Sequence, residues 1–471
     1  MSVVASSTDH ADQRHVAELL DGEPALLSSL DFGPYVAQGI GDGPSLIIGD
    51  QAEIALLASA KETRLDYRMA LLAKSGDSVF VRRQVRDFED YLASNLGQKD
   101  VTYLHGRGDD ARPVTQQIRT SAKMLERLAE RARSSGGLTL KPYLTTGHSW
   151  RLAQSLGEAA RCCIHVCGPS PRLARRVNDK LWFGQFARRI LGDHATPPTR
   201  AAYGPAAAAG LVRRIGKQSD QIIVKVPDSA GSAGNLRLEG AAVRGKSLCD
   251  LRQFLLHRLH TFGWQDTYPI LVGVWDENVR CSPSAQIWVP HVQDGPPRIE
   301  GIFEQRVHDS GAAFVGAARS TLPQELQERL SAEASRIAGI LQRLGYFGRC
   351  SLDAVIFRGA DGADNIHWIE CNGRWGGVSI PMAAADTLCA NQPAPAISVM
   401  QELRPGRQMQ TKELLRRLGD LLFRVGHDKT GIVVMSPPEH DNGAHINLLS
   451  LAQTQLLSDE LLNEAMRRIA D

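Results

Sequence analysis

Short apolar runs alternate with stretches of helical periodicity through the first third of the chain. Leu46-Ile47-Ile48 before Gly49 reads as a buried strand, and Ser78-Val79-Phe80-Val81 as another. An amphipathic helix is predicted over 84–96, a third strand over 101–104, and one long helix over 115–134 with Met124, Leu125 and Leu128 on one face. Ile164-His165-Val166 is a further strand, ended by Gly168-Pro169. Strand–helix alternation at this spacing predicts a parallel α/β layer across 31–175. No G-x-G-x-x-G follows any of these strands, so a dinucleotide site is not supported. Ahead of this layer, residues 1–30 read as a weakly structured arm or lid, with a short helical patch broken at Gly22 and Pro24.

The pattern changes after 175. Two helices are predicted over 171–215, around the break Ala195-Thr196-Pro197-Pro198. A buried strand over 221–226 runs into the turn Ser229-Ala230-Gly231-Ser232-Ala233-Gly234. A helix over 247–260, strands over 270–275 and 284–289, and a long helix over 323–344 follow. Two strands over 351–357 and 366–370 are joined by a loop at 359–364, which makes them a pair. A proline-containing linker at 391–395 precedes a helix over 411–423, a strand over 431–435 and a helix over 458–469. The division is therefore an arm (1–30), an α/β unit (31–175), an α+β unit (176–390) and a small α/β segment (391–471). A chain of 471 residues is too long for one core, so several packed units are expected.

Composition narrows the function. Net charge is +2 and no basic run tracks a phosphate backbone, which argues against a nucleic-acid partner. Cys162, Cys163 and Cys167 are close together, but no second pair stands at zinc spacing, so the eight cysteines read as reduced thiols. The first twenty residues are polar, unlike a secretory signal, and no stretch is long and apolar enough to span a bilayer. The expectation is a soluble, cytoplasmic protein. Only eleven of the 54 basic residues are lysine, so a lysine beside a glycine-rich turn carries more weight than usual.

Chemistry concentrates in the paired strands. Asp353 stands in Leu352-Asp353-Ala354-Val355, and Glu370 and Asn372 end Trp368-Ile369-Glu370-Cys371-Asn372. Residues two apart on a strand share a face, and pairing through the loop brings Asp353 to them. Two carboxylates and an amide oxygen suit a hard cation such as magnesium, which leaves positions open for substrate phosphates. Taken singly, either acid reads as a surface residue. Lys225 ends its strand just before the glycine-rich turn, where backbone amides converge on phosphate oxygens. This is not the P-loop order, because the lysine precedes the glycines.

The sequence of features is Lys180, Lys225 with its glycine-rich turn, a hinge strand, Asp353, then Glu-x-Asn-x-Arg at 370–374. In that order it resembles the ATP-grasp superfamily of carboxylate–amine ligases. The resemblance implies an ATP-grasp fold of α+β character over 176–390, clamping ATP between two subdomains. A Rossmann-like pre-ATP-grasp domain would precede it and a small C-terminal α/β segment would follow. It implies that Lys180, Lys225, Ser229, Gly231, Ser232 and Gly234 meet the nucleotide, with Val272, Trp275 and Asp276 in the adenosine hinge. Asp353, Glu370 and Asn372 would hold magnesium, with manganese as an alternative, and Arg374 and Lys225 would stabilise the transferring phosphoryl group. Lys141-Pro142-Tyr143, Val166-Cys167-Gly168-Pro169 and Asn178-Asp179-Lys180 resemble a narrower group that includes the peptide ligase of pheganomycin biosynthesis. That likeness implies an amino-acid-like or guanidino acid as the carboxylic acid substrate, joined to the N-terminus of a peptide as the amine. Members of the wider family often form a homodimer through the first domain, and here oligomeric state stays open. Two positions depart from the pattern: Arg349 stands four residues before Asp353 rather than two, and Gln286 replaces a common glutamate. Arg349 and Trp375 are the substrate-side candidates. A ligase for a small amine or single amino acid, a phosphotransferase and a non-catalytic ATP-binding module stay open as alternatives.

Overall fold

The computed structural model describes residues 2–23, 31–51, 53–54, 64–106, 112–227, 229, 234–261, 263–307, 314–390, 395–403, 408–440 and 443–470. Its first unit is a six-stranded sheet, all parallel, in the order Val36–Gln38, Ile164–Val166, Leu138–Pro142, Ser45–Ile48, Ser78–Val81, Thr102–His105. Alternation decides its two faces. Leu46, Ile48 and Phe80 enter one core, while Ile47, Val79 and Val81 enter another. The long helix expected over 115–134 is two helices, Val114–Thr120 and Ala122–Ser134. Ser121 between them is extended, which ends one helix and starts the next.

The second unit is a four-stranded antiparallel sheet, Thr199–Ala202, Ile270–Val274, Gln221–Lys225 and Asn235–Glu239 in that order. Helices Pro205–Ile215 and Leu248–Thr261 cover its apolar face with Val212, Leu251 and Leu255. The third is a nine-stranded antiparallel sheet. Gly348–Arg358 lies inside it, with Asp364–Asn372 along one side and both Val279–Cys281 and Pro283–Val289 along the other. Five of its strands, Val279–Cys281, Arg298–Val307, Phe314–Arg319, Ala396–Leu403 and Ile446–Ala452, were not expected from the periodicity.

The segment after 395 adds three of these strands and a separate two-stranded pair, Glu439–His440 with Gly443–Ala444. Its apolar side chains fuse with those of the first unit in one core, where Leu449 and Phe423 join Phe88 and Tyr91. Tyr91 accepts a hydrogen bond from Val434 N at 3.0 Å. The N-terminal segment differs more sharply from expectation. Ser2–Gly22 is a helix, and Val16, Leu19 and Leu20 pack on the helical layer behind the nine-stranded sheet. Asp12 pairs with Arg336 at 2.9 Å. This docking is behind the carboxylate strands, so the helix is not a lid over them.

Candidate active site

Register brings the polar residues together. Ser284, Asp353 and Glu370 face one another across three strands, and Gln286, Ser351 and Asn372 form the next row. Facing residues in antiparallel strands project to the same side. Asp353, Glu370 and Asn372 therefore share a face, as the sequence predicts. The opposite side carries Cys350, Leu352, Ala354, Trp368 and Cys371, buried against the helix Gln324–Arg343. A bulge between Asp353 and Ala354 makes this division possible. Trp368 and Glu370 are two residues apart, yet Trp368 enters the core and Glu370 the cleft.

Hydrogen bonds fix the carboxylate row. Ser284 Oγ donates to Asp353 Oδ1 at 2.6 Å, and Gln286 Nε2 donates to Ser284 Oγ at 2.8 Å. Asn372 Nδ2 donates to Asp353 Oδ2 at 3.0 Å, which leaves its own carbonyl oxygen free of that contact. Burial, reinforced by the Glu370 charge, pushes the Asp353 carboxyl up to about 6. Glu370 goes the other way. Burial would raise it, but Lys180, Arg374 and Lys225 together outweigh burial and hold it below the usual glutamate value.

Both sequence-predicted lysines arrive. Asp179 caps the helix Lys180–Leu191, accepting from Leu181 N at 2.8 Å and Trp182 N at 3.2 Å. This sets Lys180 in the first turn, buried. Its Nζ lies 3.3 Å from Glu370 Oε2 and donates to Ser229 O and Oγ, each at 2.9 Å. Lys180 thus ties the carboxylate strand to Ser229. Gly234 lies against Ser229, where a Cβ would stand 2.5 Å from Ser229 Oγ. Lys225 comes from the end of Gln221–Lys225, and burial, aided by Lys180, lowers its ammonium to about 8 against the pull of Glu370 and Asp276. Arg374 donates through Nη1 to Asn178 Oδ1, which also accepts from Gly373 N at 3.1 Å.

The remaining candidates divide. Asp276 follows the strand Ile270–Val274, and both its oxygens contact His367 Nδ1, at 3.0 and 2.9 Å. The Arg237 guanidinium lies over the Trp275 ring, 5.5 Å from its centroid. Val272 is not brought to the cleft: its side chain is fully buried in the four-stranded sheet's core. Gly231 and Ser232 lie outside the described residues. Arg349 is stacked between two rings, 5.4 Å from the Trp288 centroid and 5.1 Å from that of Trp375, with Nη1 on Glu300. Trp375 N donates to Tyr143 O at 3.0 Å, so the end of the first unit's strand Leu138–Pro142 closes this side.

One axis emerges along Gly348–Arg358. His367 pairs with Val355, Glu370 with Asp353 and Asn372 with Ser351, and Arg349 comes next. At about 3.3 Å per residue the row from Val355 to Arg349 spans about 20 Å. Cations cluster at its centre. The donors there are all oxygen, as a hard cation requires. Among the described residues no three His, Cys, Asp or Glu side chains form a preformed metal cluster. Asp353, Glu370 and the Asn372 carbonyl oxygen are the side-chain oxygens that could hold a hard cation here. Asn178, Ser284, Gln305 (a donor to Asp353) and His367 were missed by sequence reasoning. Ser284 and Gln286 did leave a signal, as polar positions alternating with Ala285 and Ile287 on a buried strand. No helix among the described residues is long and apolar enough to cross a membrane.

Comparisons with known proteins agree with this architecture. Residues 66–158 match the pre ATP-grasp domain family. No curated protein matches the chain in sequence. Among solved structures, the N5-carboxyaminoimidazole ribonucleotide synthetase of Thermus thermophilus superposes with a TM-score of 0.54 at 12% identity, covering 91% of this chain and 98% of that one. The biotin carboxylase domain of Hydrogenobacter thermophilus 2-oxoglutarate carboxylase, solved with MgADP, ADP and bicarbonate, gives 0.54 at 13% identity over 89% of each chain. Biotin carboxylase from Campylobacter jejuni, in a β,γ-ATP complex, gives 0.52 at 12% identity over 90% and 94%.

Proposed function

From its ATP-grasp fold with a pre-ATP-grasp domain, we propose that this protein is an ATP-dependent carboxylate–amine ligase. The observation that carries the reading is the facing pair Asp353–Glu370, ringed by Lys180, Lys225 and Arg374 on one sheet face. Such a site neutralises a triphosphate and the charge that spreads during phosphoryl transfer. Asp353, Glu370 and the Asn372 carbonyl oxygen would hold magnesium, or manganese in its place. When bound, the metal supplies charge neutralisation on the phosphate oxygens.

In this reading Lys180, Lys225 and the turn from Ser229 to Gly234 bind the phosphates, and Asp276 in the hinge accepts hydrogen bonds from the ribose. The substrate carboxylate attacks the γ-phosphorus and ADP leaves. Arg374, oriented by Asn178, and Lys225 meet the charge on the transferring oxygens. An amine then attacks the acyl phosphate, giving an amide and phosphate. Arg349, held between Trp288 and Trp375, lines the substrate end beyond the metal row. The task of the site is positioning and the exclusion of water, which would hydrolyse the intermediate.

The finer reading takes an amino-acid-like acid and the N-terminus of a peptide, in peptide natural-product biosynthesis, with the protein a homodimer. The substrate reading rests on the likeness of the 141–180 motifs to the pheganomycin peptide ligase group, and the homodimer on analogy with the wider family. The test is phosphate release from ATP with a panel of acids, single amino acids and short peptides, each with and without a partner amine. Turnover that needs both an acid and a peptide amine supports the finer reading. Turnover with single amino acids alone removes it, and stable phosphorylation without amide formation removes the ligase.

A further inference from the structure

The pair Asp276–His367 is not used by the phosphoryl chemistry, yet it is placed and built with care. Its side chains are only 9% and 12% exposed. The chain leaves the four-stranded sheet at Val274, where Trp275 N donates to Gln221 O at 3.1 Å. It turns at Asn278, whose φ is 55°, and joins the nine-stranded sheet as Val279–Cys281. Asp276 sits in the middle of this crossing, close enough to Lys225 for their charges to interact. His367 comes from the far side, on the same strand as Glu370 and Asn372. Its ring packs on Phe357 with centroids 4.5 Å apart, which fixes the plane from which Nδ1 reaches Asp276.

Resting on the nucleotide-site reading above, we propose that His367 is a positioning residue that fixes Asp276 as the acceptor for the ribose hydroxyls, and so sets the preference for ribonucleotides. A carboxylate offers about four lone-pair sites. One histidine N–H shared between the two oxygens leaves capacity for two hydroxyl donors. An acid on a hinge segment without that partner is free to rotate, and a rotating acceptor distinguishes ribose from deoxyribose poorly. The bulge after Asp353 is what turns His367 to the cleft while Trp368 stays in the core. The strand that carries the metal-side residues therefore also carries the hinge acid's partner, so the two ends of a nucleotide are registered on one element.

The test is equilibrium binding of MgADP and of its 2′-deoxy and 3′-deoxy forms to the full chain. His367→Phe keeps a ring on Phe357 and removes the donor, while His367→Gln keeps a donor. Wild type is expected to favour ADP over both deoxy forms by about 10-fold, the worth of a hydrogen bond to a charged group. His367→Phe is expected to lose about 10-fold for ADP and most of that preference, with His367→Gln near wild type. Asp276→Asn with His367→Phe should be no weaker than Asp276→Asn alone, because the histidine acts through the acid. His367→Phe that retains ribose preference, or that weakens all three ligands equally, overturns the proposal. Wild type that binds no ADP overturns the nucleotide site itself, and the proposal with it.

Discussion

Asp353→Asn separates stability from function at this site. In the folded protein the Asp353 carboxyl rises from 3.8 to about 6 through burial and the neighbouring Glu370. At about 1.4 kcal/mol per pH unit, that difference is about 3 kcal/mol of unfavourable free energy in the ionised form at neutral pH. The sign follows from linkage. A folded-state value above the unfolded one means that the group's contribution is fully present in acid, below the unfolded value near 3.8, and is lost as pH rises through about 6. Asparagine removes the charge and keeps an acceptor for Ser284 Oγ, but turns an amide NH2 toward Asn372. The net gain expected for the nucleotide-free protein is about 1–2 kcal/mol at pH 7, after about 1 kcal/mol for that lost hydrogen bond. Thermal unfolding without metal should therefore show a midpoint raised by a few degrees at neutral pH, a difference that shrinks as pH falls and vanishes near about pH 4.5. The same variant should lose stabilisation by MgADP and all metal-dependent turnover. A nucleotide-free Asp353→Asn protein that is less stable than wild type at pH 7, or one that keeps turnover, refutes the reasoning.

Other perturbations test separate parts of the site. Asn178→Ala leaves Arg374 without its acceptor, so kcat should fall about 10–100-fold while the Kd for MgADP stays within about twofold. The Lys225 ammonium is lowered to about 8 by burial, so nucleotide affinity should hold below that pH and weaken above it as the charge is lost. Lys225→Arg, which stays charged, should flatten that profile when Kd is measured across the same range. Asp12→Ala breaks the pair with Arg336 and should lower thermal stability by up to about 1 kcal/mol while leaving kcat and KM unchanged, since the N-terminal helix is docked behind the sheet.

The strand pair around Asp353 was legible because two-residue alternation and a short loop determine which side chains share a face. Lys180 and Lys225 were legible through order and scarcity. The bulge that sends Trp368 and Glu370 to opposite sides was not, because a regular strand predicts one face for both. Asn178 stands in the quoted Asn178-Asp179-Lys180, yet nothing there marks it as the acceptor for Arg374. Its role appears only when Gly373 approaches the helix Pro171–Asn178, where a Cβ would meet Val177 Cγ2 at 2.3 Å. The segment after 391 reads as a small α/β segment because its own pattern is local. Which sheet its strands join depends on pairing with Phe314–Arg319, and the apolar run Ile446–Ala452 is buried along its whole length. Val272 was expected at the hinge from the ATP-grasp resemblance, but it stands inside a strand paired on both sides.

The central claim is activation of a carboxylic acid by phosphoryl transfer. Its most direct measurement uses an acid substrate identified from the panel and labelled with heavy oxygen in its carboxyl group. After turnover with ATP and an amine, the released phosphate is analysed by mass. Transfer of one labelled oxygen from the acid to phosphate is the predicted result, since the carboxylate oxygen that attacks phosphorus leaves with it when the amine arrives. Unlabelled phosphate, with amide formed, would contradict the account.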